Sequence, residues 1–445
     1  METIDEAIAA HRSGDLILAE SLYRRVLERE PLHFDALHLL GVIAAQHRRY
    51  EEAEYLMRGA LHIEPDDLTC LRHHGNVLAR LGRNREAQEC FDRALALAPD
   101  DPAVLSDRGA ALHVLGRYAE AADDFRAALR CDPSHGDAHL RLGASRLLHG
   151  DFAGGWVAFG SRRWDQEERR VQQAGGIDAP IWRGDEPLMG RTILLQGRHG
   201  FGDTLQFCRY VPMVAALGAR VILEVPPSIA GLMASLGGGA IVLPAGAERP
   251  SFDTHCSLLS LPFAFRTMLD TIPVSIPYLY PPSARIAAWA RALGRKRRPR
   301  VGIAWSGGGN RNDPRAADLS AFLSLRSLDI DLVVLQKDTT PAEREVLAVH
   351  PDVLYPAGDF LETAALGSLM DLVISVDTAI AHLGGALGVP TFVLLPVIPD
   401  WRWLLNREDS PWYPTMRLFR QREAGDWDSS FAAIRHELSV RFGLI

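Results

Sequence analysis

The spacing of apolar and polar positions changes character about a third of the way along this chain of 445 residues. Up to residue 165 one period of 34 governs it: Ala7, Gly41, Gly75, Gly109 and Gly143 share that step, as do Ala19, Ala53, Ala87, Ala121 and Gly155. The same step relates Tyr23, Met57, Phe91, Phe125 and Phe159, and again Pro31, Pro65, Pro99 and Pro133. A fixed period of this length predicts stacked helical hairpins, none of which buries its apolar face alone. Small residues let two helices approach, a large residue fills the hole, and proline ends the second helix because it has no N–H. Gly14, Gly82, Gly116 and Gly150 fall in the turns, where a positive φ is expected. Five repeats are predicted over residues 1–165, the fifth degenerate around Gly154-Gly155-Trp156.

Beyond a polar stretch at 166–176 the period shortens to that of buried strands alternating with helices. Strands are predicted at 192–196, 220–225 and 240–243, with helices at 204–217 and 228–236. The proline-rich run 276–282 breaks the series and reads as a linker. A second series follows, with strands at 300–305, 332–336, 372–375 and 391–395 and helices at 284–293, 341–349, 360–370 and 378–387. Alternation of this kind predicts two parallel sheets, in residues 166–282 and 283–445, the latter with a closing C-terminal helix. The fold class is thus α plus α/β. Ligands of such sheets sit outside the carboxyl ends of the strands, so the glycine loops there and the Asp377 turn should face one cleft.

The period and residue pattern of the first third resemble the tetratricopeptide repeat (TPR). That resemblance implies a groove for a protein or peptide partner; the other reading is a structural extension or a dimerisation arm. Histidines scattered through the repeats read as surface or groove polar positions rather than metal ligands, since only His73 and His74 are close and adjacent residues point to different helix faces.

Two segments of the α/β part carry candidate chemistry. Gly197-Arg198-His199-Gly200-Phe201-Gly202-Asp203-Thr204 joins a strand to a helix, and its glycines run G-x-x-G-x-G, not the dinucleotide order G-x-G-x-x-G. Asp203 at the mouth of that helix is either a cap or a general base. In the run 374–390 a strand end passes into a helix whose first turn carries Thr378, with His382 four residues on. Backbone N–H groups, a hydroxyl and an imidazole there would converge on an anion such as a diphosphate; the plainer alternative is a capped core helix with one buried histidine. Gln336-Lys337 ends another strand and reads equally as a contact to ribose or base or as a solvated strand end. Asp329-Ile330-Asp331 spells the D-x-D of metal-dependent transferases but approaches a strand and is taken as loop chemistry.

The run 375–396, with Gly200-Phe201-Gly202-Asp203-Thr204 and the Trp305-Ser306-Gly307 loop, resembles glycosyltransferase family 9, the heptosyltransferases. It is most similar to the bacterial branch in which TPRs precede that module, through Asp400-Trp401-Arg402-Trp403 and Ser410-Pro411-Trp412-Tyr413-Pro414. The likeness spans roughly residues 180–425. It implies a GT-B-type module of two Rossmann-like domains that transfers a sugar from a nucleoside-diphosphate donor to a protein or glycan, inverting and without a metal or cofactor. By the same resemblance Asp203 is the catalytic base, and Asp377, Thr378, Ala379 and His382 bind the donor diphosphate. Gly200, Gly202, Ser306 and Gly307 complete the donor site, with Asn310, Arg311 and Arg315 as candidate phosphate contacts and Gln336 and Lys337 beside them. The alternative is a TPR scaffold whose transferase-like module binds nucleotide without turning it over.

Charge and cysteine content narrow the partners. A net charge of -8 gives no general attraction to nucleic acid or anionic lipid, and the basic run 295–300 reads as a solvated linker. Five cysteines without CxxC spacing argue against a disulfide framework or a structural zinc. The amino terminus lacks a signal-peptide pattern and no apolar stretch approaches the roughly 20 residues of a membrane span, so a cytoplasmic protein, at most peripherally bound to a membrane, is expected.

Overall fold

A computed structural model describes residues 4–160, 177, 179–198, 200–308, 313–350, 353–354 and 358–444. It divides into two compact units, Met1–Arg146 and a second made of Leu147–Gly160 with Trp164–Ile445.

The first unit is a run of helical hairpins: Ile4–Ser13 with Leu16–Arg29, Phe34–Gln46 with Tyr50–Ile63, Leu68–Arg80 with Asn84–Leu97, and Pro102–Val114 with Tyr118–Cys131. The 34-residue registers have direct packing meaning. A Cβ placed on Gly75 would lie 2.6 Å from the Phe91 ring, and one on Gly109 2.6 Å from Phe125. The small position of each hairpin is therefore the seat of its large one, and Tyr23, Met57, Phe91 and Phe125 are all buried. Burying each such side chain contributes roughly 2–3 kcal/mol. Gly14, Gly82, Gly116 and Gly150 have φ between 75° and 85°, and Arg48 takes the same place in the second hairpin at φ 59°. First helices are capped at another 34-residue register: Asp67 accepts from Cys70 N at 2.7 Å, Asp101 from Val104 N at 3.0 Å, and His33 and His135 use Nδ1 for the same purpose. Those two histidines are helix caps. His38 Nε2 and His73 Nδ1 lie 2.9 Å apart, and burial, then the neighbouring His38, pushes His73 down to about 4.

The second unit holds two all-parallel sheets. The first has strands β1 Thr192–Gln196, β2 Arg220–Val225, β3 Ile241–Pro244 and β4 Thr254–Ser257 in the order β3-β2-β1-β4. The second has β5 Arg300–Ala304, β6 Asp331–Val334, β7 Leu372–Val376, β8 Thr391–Leu395 and β9 Met416–Arg420 in the order β6-β5-β7-β8-β9. β1, β5, β7 and β8 are buried almost throughout, as strands covered on both faces must be. The order in which the chain adds strands reverses between β1 and β4 and between β5 and β7, which is where a crevice opens.

Three local departures from the sequence reading have simple causes. The helix expected over 204–217 is three pieces, Phe201–Phe207, a 3₁₀ turn at Cys208–Tyr210 and Val211–Ala216, because Pro212 cannot continue the hydrogen-bond ladder. β4 and β9 escape a search for apolar runs: β4 is Thr-His-Cys-Ser, and in β9, an outer strand, Arg417 and Arg420 interrupt the apolar residues. The helix Phe152–Gly160 belongs to the second unit although the period counts it in the fifth repeat. Its Trp156 donates Nε1–H to Thr267 O at 2.7 Å and meets Trp401 edge-on at 5.3 Å, while Phe152 stacks with Trp412 at 6.4 Å.

Candidate functional site

One cleft of about 440 Å³ gathers most of the residues singled out from the sequence. Gly200, Gly202 and Asp203 come from the turn after β1, and Ser306 and Gly307 from the loop after β5. Gln336 and Lys337 follow β6, while Asp377, Thr378, Ala379 and His382 follow β7. Asn310 and Arg311 lie outside the described residues. Every one of the described positions among them stands at the carboxyl end of a parallel strand or in the first turn of the helix it feeds. Topology thus makes neighbours of residues far apart in sequence.

The two helix starts abut. A Cβ on Gly202 would fall 2.9 Å from His382 Cδ2 and 3.7 Å from Ala379 Cα, so only glycine lets the helix Phe201–Phe207 lie this close to Ala379–Ala386. Thr378 caps the latter, its Oγ1 accepting from Ile380 N at 3.3 Å and lying 3.1 Å from Ser375 Oγ. His382 Nδ1 is 2.9 Å from Tyr413 Oη, and its ring stacks on Trp403 at 5.5 Å. Burial, reinforced by Arg402, Arg209 and Arg315, holds this imidazole well below its ordinary value, so it faces the cleft neutral.

Asp203 is both cap and cleft residue. Its Oδ2 accepts Gly200 N–H at 3.1 Å and its Oδ1 accepts Arg402 Nη2–H at 2.5 Å. Arg402 also reaches Asp400 Oδ1 at 2.8 Å through Nη1 and Gln206 Oε1 at 2.6 Å through Nε. Asp377 is 5% exposed. Burial and then the Asp400 charge push its carboxyl up to about 6, against partial relief from Arg315, Trp403 and Arg402.

Two predicted donor contacts have other employment. The Gln336 amide is used up locally: Oε1 accepts from Trp305 N at 3.1 Å and Ser306 N at 3.2 Å, and Nε2 donates to Ser306 O at 2.9 Å. It fastens the loop after β5 to the end of β6. Lys337 Nζ sits over the rings of Phe201 at 5.3 Å and Phe360 at 4.8 Å, at the rim where the two sheets face each other. Arg315 lines the cleft, its guanidinium on Asp313 at 2.7 Å and reaching Asp377 O at 3.4 Å. Asp329 pairs with Arg298 at 2.8 Å, and Asp331 opens β6 at the end opposite the cleft. Within the basic run Lys296 also pairs, with Asp371 at 2.5 Å, and Arg300 is buried against Gly294 O at 2.7 Å, while Arg295 and Arg297 are exposed.

Sequence reasoning missed Asp400 and Arg402 as site residues, as well as the aromatic rim of Phe201 and Phe360. The signal for Arg402 was an Asp-Trp-Arg-Trp run directly after a buried strand, the place where an α/β sheet puts its ligand contacts.

Comparison with known proteins bears chiefly on the first unit. A tetratricopeptide-repeat family model matches residues 4–67, 73–136 and 115–155. The N-terminal region carries tetratricopeptide repeats. TPR domains bind peptides or proteins. Over 308 residues the chain is 26% identical to Protein FlbA of Caulobacter vibrioides, an alignment covering 61% of this chain and 51% of that protein. The chain thus spans about half the length of that relative. Among solved structures, MamA is similar at 16% identity over 37% of this chain and 96% of its own, with a TM-score of 0.34. YrrB, described as a TPR protein with an unusual peptide-binding site, is similar at 21% identity over 38% and 90%, with a TM-score of 0.33. Among the described residues no helix is long and apolar enough to cross a membrane.

Proposed function

We propose that the second unit is a glycosyltransferase of the GT-B kind that takes its sugar from a nucleoside-diphosphate donor, with the TPR unit presenting a protein or other acceptor in the cytoplasm. The observation that carries this reading is the meeting of the Asp203 carboxylate with the capped start of Ala379–Ala386 in one cleft at the carboxyl ends of two parallel sheets. The N-terminus of that helix, with Ala379 N–H and Thr378, suits the donor diphosphate, and Lys337 and Arg315 add positive charge nearby. In the transfer the acceptor oxygen attacks the anomeric carbon, the bond from that carbon to the phosphate oxygen breaks, and its electron pair leaves on the diphosphate. The acceptor proton passes to Asp203, whose two oxygens each keep lone-pair space after their single hydrogen bonds. Neutral His382 offers the departing diphosphate a hydrogen bond without competing for the acceptor proton.

A thermal-shift panel of ADP-, UDP-, GDP- and CMP-linked sugars tests donor binding, because a ligand of the folded form raises its apparent stability. With the donor so found, Asp203→Asn should abolish release of nucleoside diphosphate while the thermal shift persists. No shift with any nucleotide sugar refutes the proposal. One observation favours the scaffold reading instead: both Asp203 oxygens already serve the fold, one as cap and one as Arg402's partner. That reading expects donor binding without turnover.

A further inference from the structure

Arg402 ties together three side chains at this cleft. Its three guanidinium nitrogens each take a different acceptor: Nη2 on Asp203, Nη1 on Asp400 and Nε on Gln206. Asp203 and Gln206 belong to the helix after β1, and Asp400 follows β8, so one planar group spans both sheets. The plane is fixed by packing as well, since the guanidinium lies 4.5 Å from the Trp401 ring and 5.4 Å from that of Phe207. Trp401 is in turn wedged between Trp156 at 5.3 Å and Trp412 at 6.1 Å. The side chain is only 11% exposed.

We infer that Arg402 is a positioning residue that fixes the Asp203 carboxylate in the cleft, and that the aromatic column running from Trp156 through Trp401 buttresses it. The inference rests on the reading of Asp203 as the group that accepts the acceptor proton. A planar fork is required because the three acceptors lie in different directions; a lysine ammonium can serve only part of the set. In this role Arg402 acts through Asp203 and need not touch the donor, since each of its three nitrogens already donates one hydrogen bond to a protein acceptor. The same packing explains why the helix Phe152–Gly160 belongs to the α/β unit: it supplies Trp156 to the base of the column.

The test uses the full-length chain as wild type, Arg402→Met and Arg402→Lys. With the donor that the wild type turns over, kcat should fall about 100-fold in Arg402→Met and about 10-fold in Arg402→Lys, as a slight misplacement of a reacting group would produce. The Kd for the matching nucleoside diphosphate, drawn from ADP, UDP and GDP, should stay within about threefold of wild type. A loss of nucleoside-diphosphate affinity that matches the loss of kcat would overturn the inference by making Arg402 a donor contact, as would an unchanged kcat in Arg402→Met. If the wild type turns over no nucleotide sugar, the transferase reading fails on its own account. The positioning claim is then decided by crystal structures of the two variants: Asp203 leaving its place supports it, and an unmoved Asp203 carboxylate refutes it.

Discussion

Asp377 offers a test in which fold and function pull in opposite directions. Its carboxyl is raised to about 6 from an ordinary 3.8, chiefly by burial and then by Asp400. Between those values the native protein holds a proton that the unfolded chain has released, so stability falls as pH rises through this window and levels off above it. A rise from 3.8 to about 6 corresponds to about 3 kcal/mol carried by the native state at neutral pH. Replacing Asp377 with asparagine removes the ionisation while keeping the shape. The variant should therefore be more stable than wild type by up to about 3 kcal/mol at pH 8, with the advantage shrinking to nothing near pH 4.

The chain is well suited to the measurement. All nine tryptophans lie at position 156 or later, so tryptophan fluorescence, excited selectively, reports the second unit and is blind to Met1–Arg146. Urea melts of wild type and Asp377→Asn at half-unit steps from pH 4 to 8 give the difference directly, and acid effects common to both cancel. A gain that is the same at every pH, or a loss of stability at pH 8, would show that Asp377 ionises without penalty in the cleft. Stabilisation together with loss of donor turnover would mark Asp377 as a residue kept for its chemistry.

Three further outcomes follow from particular contacts. Gly202→Ala should destabilise the second unit by roughly 1–3 kcal/mol in the same fluorescence melts, since its methyl meets a His382 ring that Tyr413 and Trp403 hold in place; an unchanged midpoint would mean the two helix starts do not abut. Arg48→Gly should raise the melting temperature of the repeat unit, followed by circular dichroism, with a gain of up to about 1 kcal/mol, because Arg48 alone among the matching turn positions pays for φ 59° with a side chain; a lower melting temperature would contradict it. Chains begun at residue 147 and at residue 166 should differ by at least about 3 kcal/mol in stability, as loss of a buried tryptophan costs that much; equal stability would deny Trp156 its place in the second unit.

What the sequence made legible was whatever repeats or lies close together along the chain. The 34-residue step exposed each small residue and its large partner because both recur, and the β1 and β7 turns announced themselves because strand, turn and helix are contiguous there. Asp203 and Arg402 are 199 residues apart, and nothing local in Asp-Trp-Arg-Trp says which carboxylate it will meet. Gln336 was misjudged for a related reason: a polar residue at a strand end looks the same whether it faces a ligand or ties down the neighbouring loop. The fifth repeat carried a usable warning in Gly154-Gly155-Trp156. Gly155 keeps the register and packs on Leu147, whereas Trp156 stands at a register that elsewhere holds Glu20, Glu54, Gln88 and Ala122 and belongs to the aromatic column.

The halves of the α/β unit are held by more than the cleft. Arg209, on the 3₁₀ turn after the first helix, donates to Trp412 O at 2.7 Å, Pro273 O at 3.0 Å and Tyr278 Oη at 3.0 Å, between the rings of Tyr278 and Tyr413. It thereby joins the first sheet's helix, the proline-rich linker and the segment between β8 and β9 at one buried charge. That last segment is also the one that brings Asp400 and Arg402 to the cleft and sets Tyr413 against His382. Swinging the sheets apart would strip Arg209 and Arg402 of their partners together, leaving buried charges and carbonyls unanswered. Ligand entry is therefore expected across the rim of Phe201, Lys337 and Phe360, where the contacts between the two halves are ring faces and a single ammonium rather than a buried hydrogen-bond network.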